Sequence, residues 1–315
     1  MLPEIRLARH PWRGSHAALQ PLAPRILQPV RERYTVRLVR LVSTRGPAVR
    51  DSALPLPPAP MRAARRGRPL KRWRYLGAYS PEVMVCVCDV RLGPLPQRFW
   101  AVAEPGRPIV TRTSLGAGGV SIDGSRGRVE HGDVRIELDF DEDGGVESLH
   151  PSGRSGFVWT RKQAGISVRG TVAVGERRHE LDCLGVIDDS AGYHERHTSW
   201  LWCAGVGRTE DGERAGWNLV TGVNDPPKGS ERAIWIDGEE FEPGPVEIAD
   251  DLSRVGFAEG GELRFEAWSE RAENTNLVLL RSSYRQPFGT FSGELPGGFR
   301  LSEGMGVMEW HDVRW

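Results

Sequence analysis

Between Asp188 and Gly207 the chain reads DDSAGYHERHTSWLWCAGVG. Nowhere else in its 315 residues do so many proton-moving groups stand beside so much aromatic surface. Tyr193, His194, Glu195, Arg196 and His197 follow a turn-like Ser190-Ala191-Gly192, and Trp200 and Trp202 stand two apart in a strand-like run. Successive strand residues point to opposite faces. Thr198, Trp200, Trp202 and Ala204 therefore share one face, joined by Arg196, and His197, Ser199, Leu201 and Cys203 share the other. The tryptophans can wall a cavity with His194, Glu195 and His197 at its mouth. General acid–base catalysis needs such a carboxylate or imidazole, partly buried and tuned towards a neutral pKa. Glu195 or His197 would move the proton, with Tyr193 and Arg196 orienting the substrate. The same groups also fit a buried polar network that only pins strands together, or a binding site without chemistry.

Further polar groups could join this site. Asn218, Thr221, Asn224, Asp225, Glu231 and Arg232 lie in and after a strand over 217–225, where they can bind a polar head group or simply cap turns. Arg161 shares a face with Trp159 in an otherwise apolar strand, as an inward cation for a carboxylate or an anionic ligand, or as a solvated side chain. In the tail VMEWHDVRW, Glu309 and His311 share one face and can close the central site. Asp188 and Asp189 precede the turn-like residues and are expected to cap it. His194 and His197 form H-x-x-H, but strand geometry sends their rings to opposite faces and no third ligand has a diagnostic place. Neither a metal nor another cofactor is expected. The Gly- and Pro-rich stretch 282–298 lacks phosphate-loop spacing and a following helix, which argues against nucleotide binding.

The elements that must position these groups read as strands. Val134, Ile136, Leu138 and Phe140 alternate with Arg135, Glu137 and Asp139, and similar runs separated by Gly, Pro, Asn and Asp continue to the end of the chain. The pattern predicts about 14 to 18 short strands, with at most a turn of helix in ADDLSRVGFAEGG (249–261). The 38 glycines, 23 prolines and 11 tryptophans agree with an all-β chain whose indoles are core or cavity lining.

Four segments are expected. Residues 1–53 lack a persuasive period apart from YTVRLVRLV (34–42) and read as a poorly ordered basic extension, although an early translation start would look the same. Residues 54–72 form a Pro-rich and basic strap or linker, and 73–185 and 186–315 form two β-barrel-like halves. The net charge is zero, yet residues 1–75 hold 17 Lys and Arg against 3 Asp and Glu, and the remainder holds 25 against 39. A basic arm can bind nucleic acid or anionic lipid, but a solvated extension explains it more simply, so nucleic acid is not the expected partner. No signal peptide and no apolar run of membrane-spanning length is present, and Cys86, Cys88, Cys183 and Cys203 show no paired zinc or redox spacing. A cytoplasmic protein with reduced thiols is the expectation.

KRWRY (71–75), GPLPQRFWAV (93–102), WTRKQAG (159–165), the 188–207 stretch, WNLVTGVND (217–225), YRQPFGTFSGELPGG (284–298) and GVMEWHD (306–312) together resemble a bacterial family of unknown function, its actinobacterial members especially. That family is distantly similar to the lipocalin-like (calycin) group of carotenoid 1,2-hydratase (hydroxyneurosporene synthase), attachment-type proteins and tocopherol cyclase. The resemblance implies two tandem antiparallel barrels handling apolar, often isoprenoid, molecules. The relatives' central motif has a Gly, an Asp-containing run and W-x-W. Gly192 and Trp200-Leu201-Trp202 fit it, while His194-Glu195-Arg196-His197 occupy the acid's place.

The expected fold is therefore all-β and antiparallel: two lipocalin-like barrels or strongly curved sheets packed together, with a cavity near their junction. The expected function is binding of a small apolar or amphipathic molecule in a Trp-lined cavity, with cofactor-free hydration, cyclisation or isomerisation. A non-catalytic lipid carrier and an adaptor using the basic N-terminal arm are the alternatives.

Overall fold

The computed structural model describes residues 41–116, 118–142, 144–276 and 280–315. The basic arm over 1–40, with most of the 34–42 run, lies outside them. The chain enters through β1 (Thr44–Arg45), a 3-10 helix (Gly46–Asp51) and a small hairpin of β2 (Ala64–Arg65) and β3 (Arg68–Pro69). Residues 41–53 are thus built into the fold and do not trail from it. Val49 and Leu56 are buried against Leu149, Phe157, Trp159 and Tyr193, and Arg45 donates to the Arg232 carbonyl at 3.0 Å. A few apolar anchors, each worth about 2 kcal/mol when buried, hold a segment that has no strand or helix period.

The first sheet contains β4 (Lys71–Tyr79), β5 (Met84–Leu92), β6 (Leu95–Ala103), β7 (Val110–Leu115), β8 (Val120–Asp123), β9 (Arg126–His131), β10 (Val134–Phe140), β11 (Val146–Ser152), β12 (Gly156–Val174) and β13 (Arg177–Gly192). Its spatial order is β7-β6-β5-β4-β13-β12-β10-β9-β8, and β11 joins β12 to β1. The second sheet contains β14 (His197–Thr209), β15 (Arg214–Thr221), β16 (Ala233–Ile236), β17 (Glu239–Phe241), β18 (Val246–Ile248), β19 (Arg254–Phe257), β20 (Glu262–Asn276), β21 (Arg281–Leu295) and β22 (Phe299–Arg314). Its order is β17-β16-β15-β14-β22-β21-β20-β19-β18. Both sheets follow one plan. The first long strand sits centrally, three more meander to one edge, and the chain returns from the other edge until its last strand pairs with the first. All pairings are antiparallel.

Each sheet curls on itself. β8 packs over β5, and β18 packs over β15. The alternation along each strand then separates three apolar layers. Leu76, Val87, Ile136, Val168 and Ile187 fill the first curl. Cys203, Trp217, Ile234, Val255 and Met308 fill the second. The outer faces pack together through Tyr75, Tyr79, Cys86, Cys88, Trp202, Val220, Phe288 and Val307. The architecture is all-β, with strongly curved antiparallel sheets packed face to face. The four cysteines are free thiols, and among the described residues no helix is long and apolar enough to cross a membrane.

Several local expectations change. Ser190-Ala191-Gly192 is strand, because β4 and β12 pair with it on both sides (Ser190 opposite Trp73 and Thr160) and satisfy its ladder. Pairing on two edges outweighs poor strand propensity. The chain passes between sheets at 193–196, not at 185, because Val186–Gly192 complete β13. Residues 249–253 form a turn between β18 and β19 and no helix. Strands such as β12 run to 19 residues, longer than their turn spacing suggested, because a bulge between Ala164 and Ile166 bends the strand without ending it.

At that bulge the sheets touch backbone to backbone. A Cβ on Gly216 of β15 would lie 2.6 Å from the Ala164 carbonyl carbon and 2.8 Å from the Gly165 nitrogen. Gly216→Ala must push the sheets apart, and overpacking of this kind costs about 1–3 kcal/mol. Urea unfolding should show the loss as a lower midpoint. An unchanged midpoint would mean that the contact between sheets is soft.

Candidate functional site

Strand alternation turns Trp73 and Tyr75 of β4 towards the seam between the sheets, and Trp200 and Trp202 of β14 towards it from the other side. Each pair meets an acid on the last strand of its own sheet. Asp188 on β13 stands opposite Tyr75 and accepts the Trp73 indole N–H at 3.2 Å. Glu309 on β22 stands opposite Trp202 and accepts the Trp200 indole N–H at 2.8 Å. In both sheets the tryptophan lies two residues before the acid's cross-strand partner. The shared strand plan thus places two indole–carboxylate pairs in one seam.

The two acids differ in their partners. Asp188 is bonded to the Lys162 ammonium at 2.5 Å, and Lys162 also lies 3.6 Å from Glu231, which belongs to the loop between β15 and β16. Burial opposes the Lys162 charge, but Asp188 and Glu231 outweigh it and hold the pKa above the ordinary lysine value. Among the described residues Glu309 has only neutral donors. Besides Trp200 it accepts the Tyr284 hydroxyl at 2.8 Å and the Gln286 amide N–H at 3.1 Å. Burial pushes its pKa up to about 7, Asp188 adds to the rise, and the hydrogen bonds and Arg271 hold it from going higher. The Arg271 guanidinium lies between Phe99 of the first sheet, at 4.2 Å, and Tyr284 of the second, at 4.8 Å. Its charge is met by Glu273 at 2.9 Å. His311 packs edge-on against Trp200 and Tyr284 and exchanges a hydrogen bond with Ser282 at 2.8 Å. Burial and then Arg271 lower its pKa to about 3, so it is a neutral wall and not a proton carrier near pH 7. Trp73, Phe99, Trp200, Tyr284 and His311 are all half-buried around the buried carboxyl.

The knot over 193–197 is not gathered at one place, because these residues cross between the sheets and each meets different surroundings. Tyr193 is buried at the far side of the first sheet, donating to the Arg62 carbonyl at 2.8 Å and packing edge-on against Phe157. His194 is buried towards the seam with its ring 5.4 Å from Trp73, and burial followed by the Lys71 charge lowers its pKa to about 3. Glu195 and Arg196 are exposed, and His197 is exposed and bonded to Asp312 at 2.7 Å. Among the described residues no group of three or more His, Cys, Asp or Glu is placed to hold a metal.

Other expected residues divide between the seam and elsewhere. Trp200, Trp202, Glu309 and His311 share the seam, and Asn218 joins them by accepting the Trp202 indole N–H at 2.8 Å and donating to the Glu231 carbonyl at 2.8 Å. Trp159 and Arg161 instead line a groove of about 470 Å³ on the first sheet. There Arg161 is bonded to Asp189 at 2.6 Å and to Glu142. Asp188 and Asp189 cap no turn. They are neighbours in a continuous strand and face opposite sides of it, Asp188 paired with Lys162 and Asp189 with both Arg74 and Arg161. Sequence reasoning gave no role to Trp73, Tyr75, Lys162, Arg271, Tyr284 or Gln286. One signal was present: W-x-Y at 73–75 echoes W-x-W at 200–202.

Solved structures similar to this chain include a candidate AttH protein from Nitrosomonas europaea, at 12% identity and a TM-score of 0.49, over 82% of this chain and 98% of that one. Kievitone hydratase from Nectria haematococca follows at 12% and 0.48, over 77% and 88%. CghA is similar at 13% and 0.39, over 84% and 95%. No curated protein matches the sequence. The model of one protein family, described as domain of unknown function DUF2804, matches residues 111–315, a span that takes in Asp188, Trp200 and Glu309 but not Trp73. The chain belongs to the DUF2804 family.

Proposed function

We propose that the protein binds a small apolar or amphipathic molecule in the seam between its sheets and exchanges a proton with it through Glu309, in a hydration, cyclisation or isomerisation. One observation carries this reading: the buried Glu309 carboxyl is held by three neutral donors, while Asp188 in the same seam is tied to a lysine. Burial without a paired cation raises the Glu309 carboxyl towards neutrality, where it can serve as acid or base. Protonated, Glu309 can donate to a carbonyl or hydroxyl oxygen. Ionised, it can accept a proton from water or an activated C–H bond. Trp200 and Tyr284 fix its orientation, and the half-buried rings around it supply the apolar contact area.

A carrier without chemistry is the second reading. It is favoured by the closure of the network, since both oxygens of Glu309 and the Trp202 indole are bonded within the protein.

Native mass spectrometry of protein purified from its host can identify the retained molecule, whose conversion is then followed. General acid–base groups contribute about 10²- to 10⁴-fold to rate. Glu309→Gln should lower conversion by about that factor and still retain the molecule, and conversion in the parent protein should change as the pH passes through about 7, declining where Glu309 donates the proton and rising where it accepts one. Equal conversion by parent and variant would remove Glu309 from the chemistry, and retention without conversion by the parent would select the carrier.

The same group links stability to pH. The fold favours the neutral carboxyl, so the contribution of Glu309 is fully present below its ordinary value of 4.5 and is lost as the pH rises through about 7. At one pKa unit per 1.36 kcal/mol the loss is at most about 3 kcal/mol. Glu309→Gln cannot ionise, so relative to the parent its unfolding free energy should gain between pH 4.5 and about 8. A difference that stays constant across that window would show that Glu309 is not held neutral.

A further inference from the structure

One end of the seam gathers polar groups that have no partners among the described residues. Lys71 on β4 is 2% exposed and makes no ion pair among the described residues, and its ammonium rests 3.8 Å from the centre of the Trp315 ring. Directly along the same face lie Trp73 and, across from it on β13, Ser190, whose hydroxyl is buried without a hydrogen bond. His194, packed on Trp73, has an unpartnered Nε2, and Thr198 of β14 has an unpartnered hydroxyl. The Trp315 indole N–H is likewise unpartnered. Buried polar groups are nearly always satisfied. Here several unmet polar atoms and one cation occur together, where strands of both sheets meet.

We infer that this end of the seam is a carboxylate pocket, in which Lys71, Ser190 and Thr198 hold the head group of the ligand while its apolar part runs past Trp73 and Trp200 towards Glu309. The inference rests on the reading of the seam as a ligand site. The groups present set the chemistry. An ammonium, two hydroxyls and an indole N–H can all donate, and His194 adds a fifth donor in its Nε2–H tautomer. Among the described residues no carboxylate is bonded to any of them. Neutral donors that can approach one plane around the Lys71 ammonium suit a planar carboxylate. Burial, and then Arg68, lower the Lys71 pKa to about 7, which agrees with a site whose counter-ion comes from outside.

Two probes of equal chain length separate the head group from the tail. Decanoate and decan-1-ol are titrated against the full chain, with binding followed by calorimetry and by quenching of tryptophan fluorescence. The parent protein should prefer decanoate. Lys71→Met keeps a side chain of similar length on the Trp315 ring and should weaken decanoate about tenfold to a hundredfold, the usual worth of a hydrogen-bonded charge, with decan-1-ol unchanged. Ser190→Ala should weaken decanoate by a smaller factor, and the urea midpoints of both variants show whether they remain folded. Equal affinity for the two probes in the parent, or an unaltered preference in folded Lys71→Met, would overturn the carboxylate pocket and leave the seam as a purely apolar site. Binding of neither probe would overturn the seam as a ligand site, and the pocket with it.

Discussion

Everything in the seam follows from how its buried charges are shared. Three carboxyl groups, Asp188, Glu231 and Glu309, are buried where the two apolar faces meet. Lys162 lies between the first two, and Arg271 is committed to Glu273. Glu309 is left with neutral donors alone. Removing ions from water is expensive unless an opposite charge is close, so Glu309 stays near the balance between its two forms. The ion pair of Lys162 therefore does more than join β12 to β13 and reach towards the second sheet. It decides which acid has a cation beside it and which is left with a carboxyl raised to about 7 by burial.

The two sheets repeat one plan, and that repetition brings the acids together. In each, the first strand supplies an indole and the last strand a carboxyl, and the closing pair of strands puts them in contact. Because the sheets pack outer face to outer face, the two pairs meet in one seam. The interiors of the curls are filled by residues such as Leu76, Ile136, Trp217 and Phe291, leaving the layer between the sheets as the place where polar groups and half-buried rings coexist.

The period-two pattern made the faces legible. It separated Trp200 and Trp202 from Leu201 and Cys203, and Glu309 and His311 from Trp310 and Asp312. The partners across strands were not legible, because β13 meets β4, and β22 meets β14, from more than a hundred residues away in the chain. A local density of titratable residues drew the eye to 193–197, yet these residues bridge two sheets and disperse. Glu195 is exposed there, while Glu309, in an ordinary-looking terminal strand, is enclosed. The segment over 41–70 was opaque for another reason. It is held by single apolar anchors such as Val49 and Leu56 and by backbone contacts, which leave no period to read.

A ligand held at the proposed Lys71 end would have a fixed polarity, and that polarity would matter for Glu309. A carboxylate placed beside Glu309 would add to the repulsion that Asp188 already exerts and drive its pKa beyond neutral, leaving an acid too weak to release its proton and a base that never forms. Lys71 is on β4, opposite Gly192 and four residues before Tyr75, whereas Asp188 lies opposite Tyr75 and Glu309 opposite Trp202. Anchoring the head group at Lys71 brings the apolar part of the ligand, not its charge, to the acid. The same strand spacing that separates anchor from acid also sets the length of chain that can lie between them, so the distance from head group to reacting atom would be the main determinant of which molecules the seam accepts.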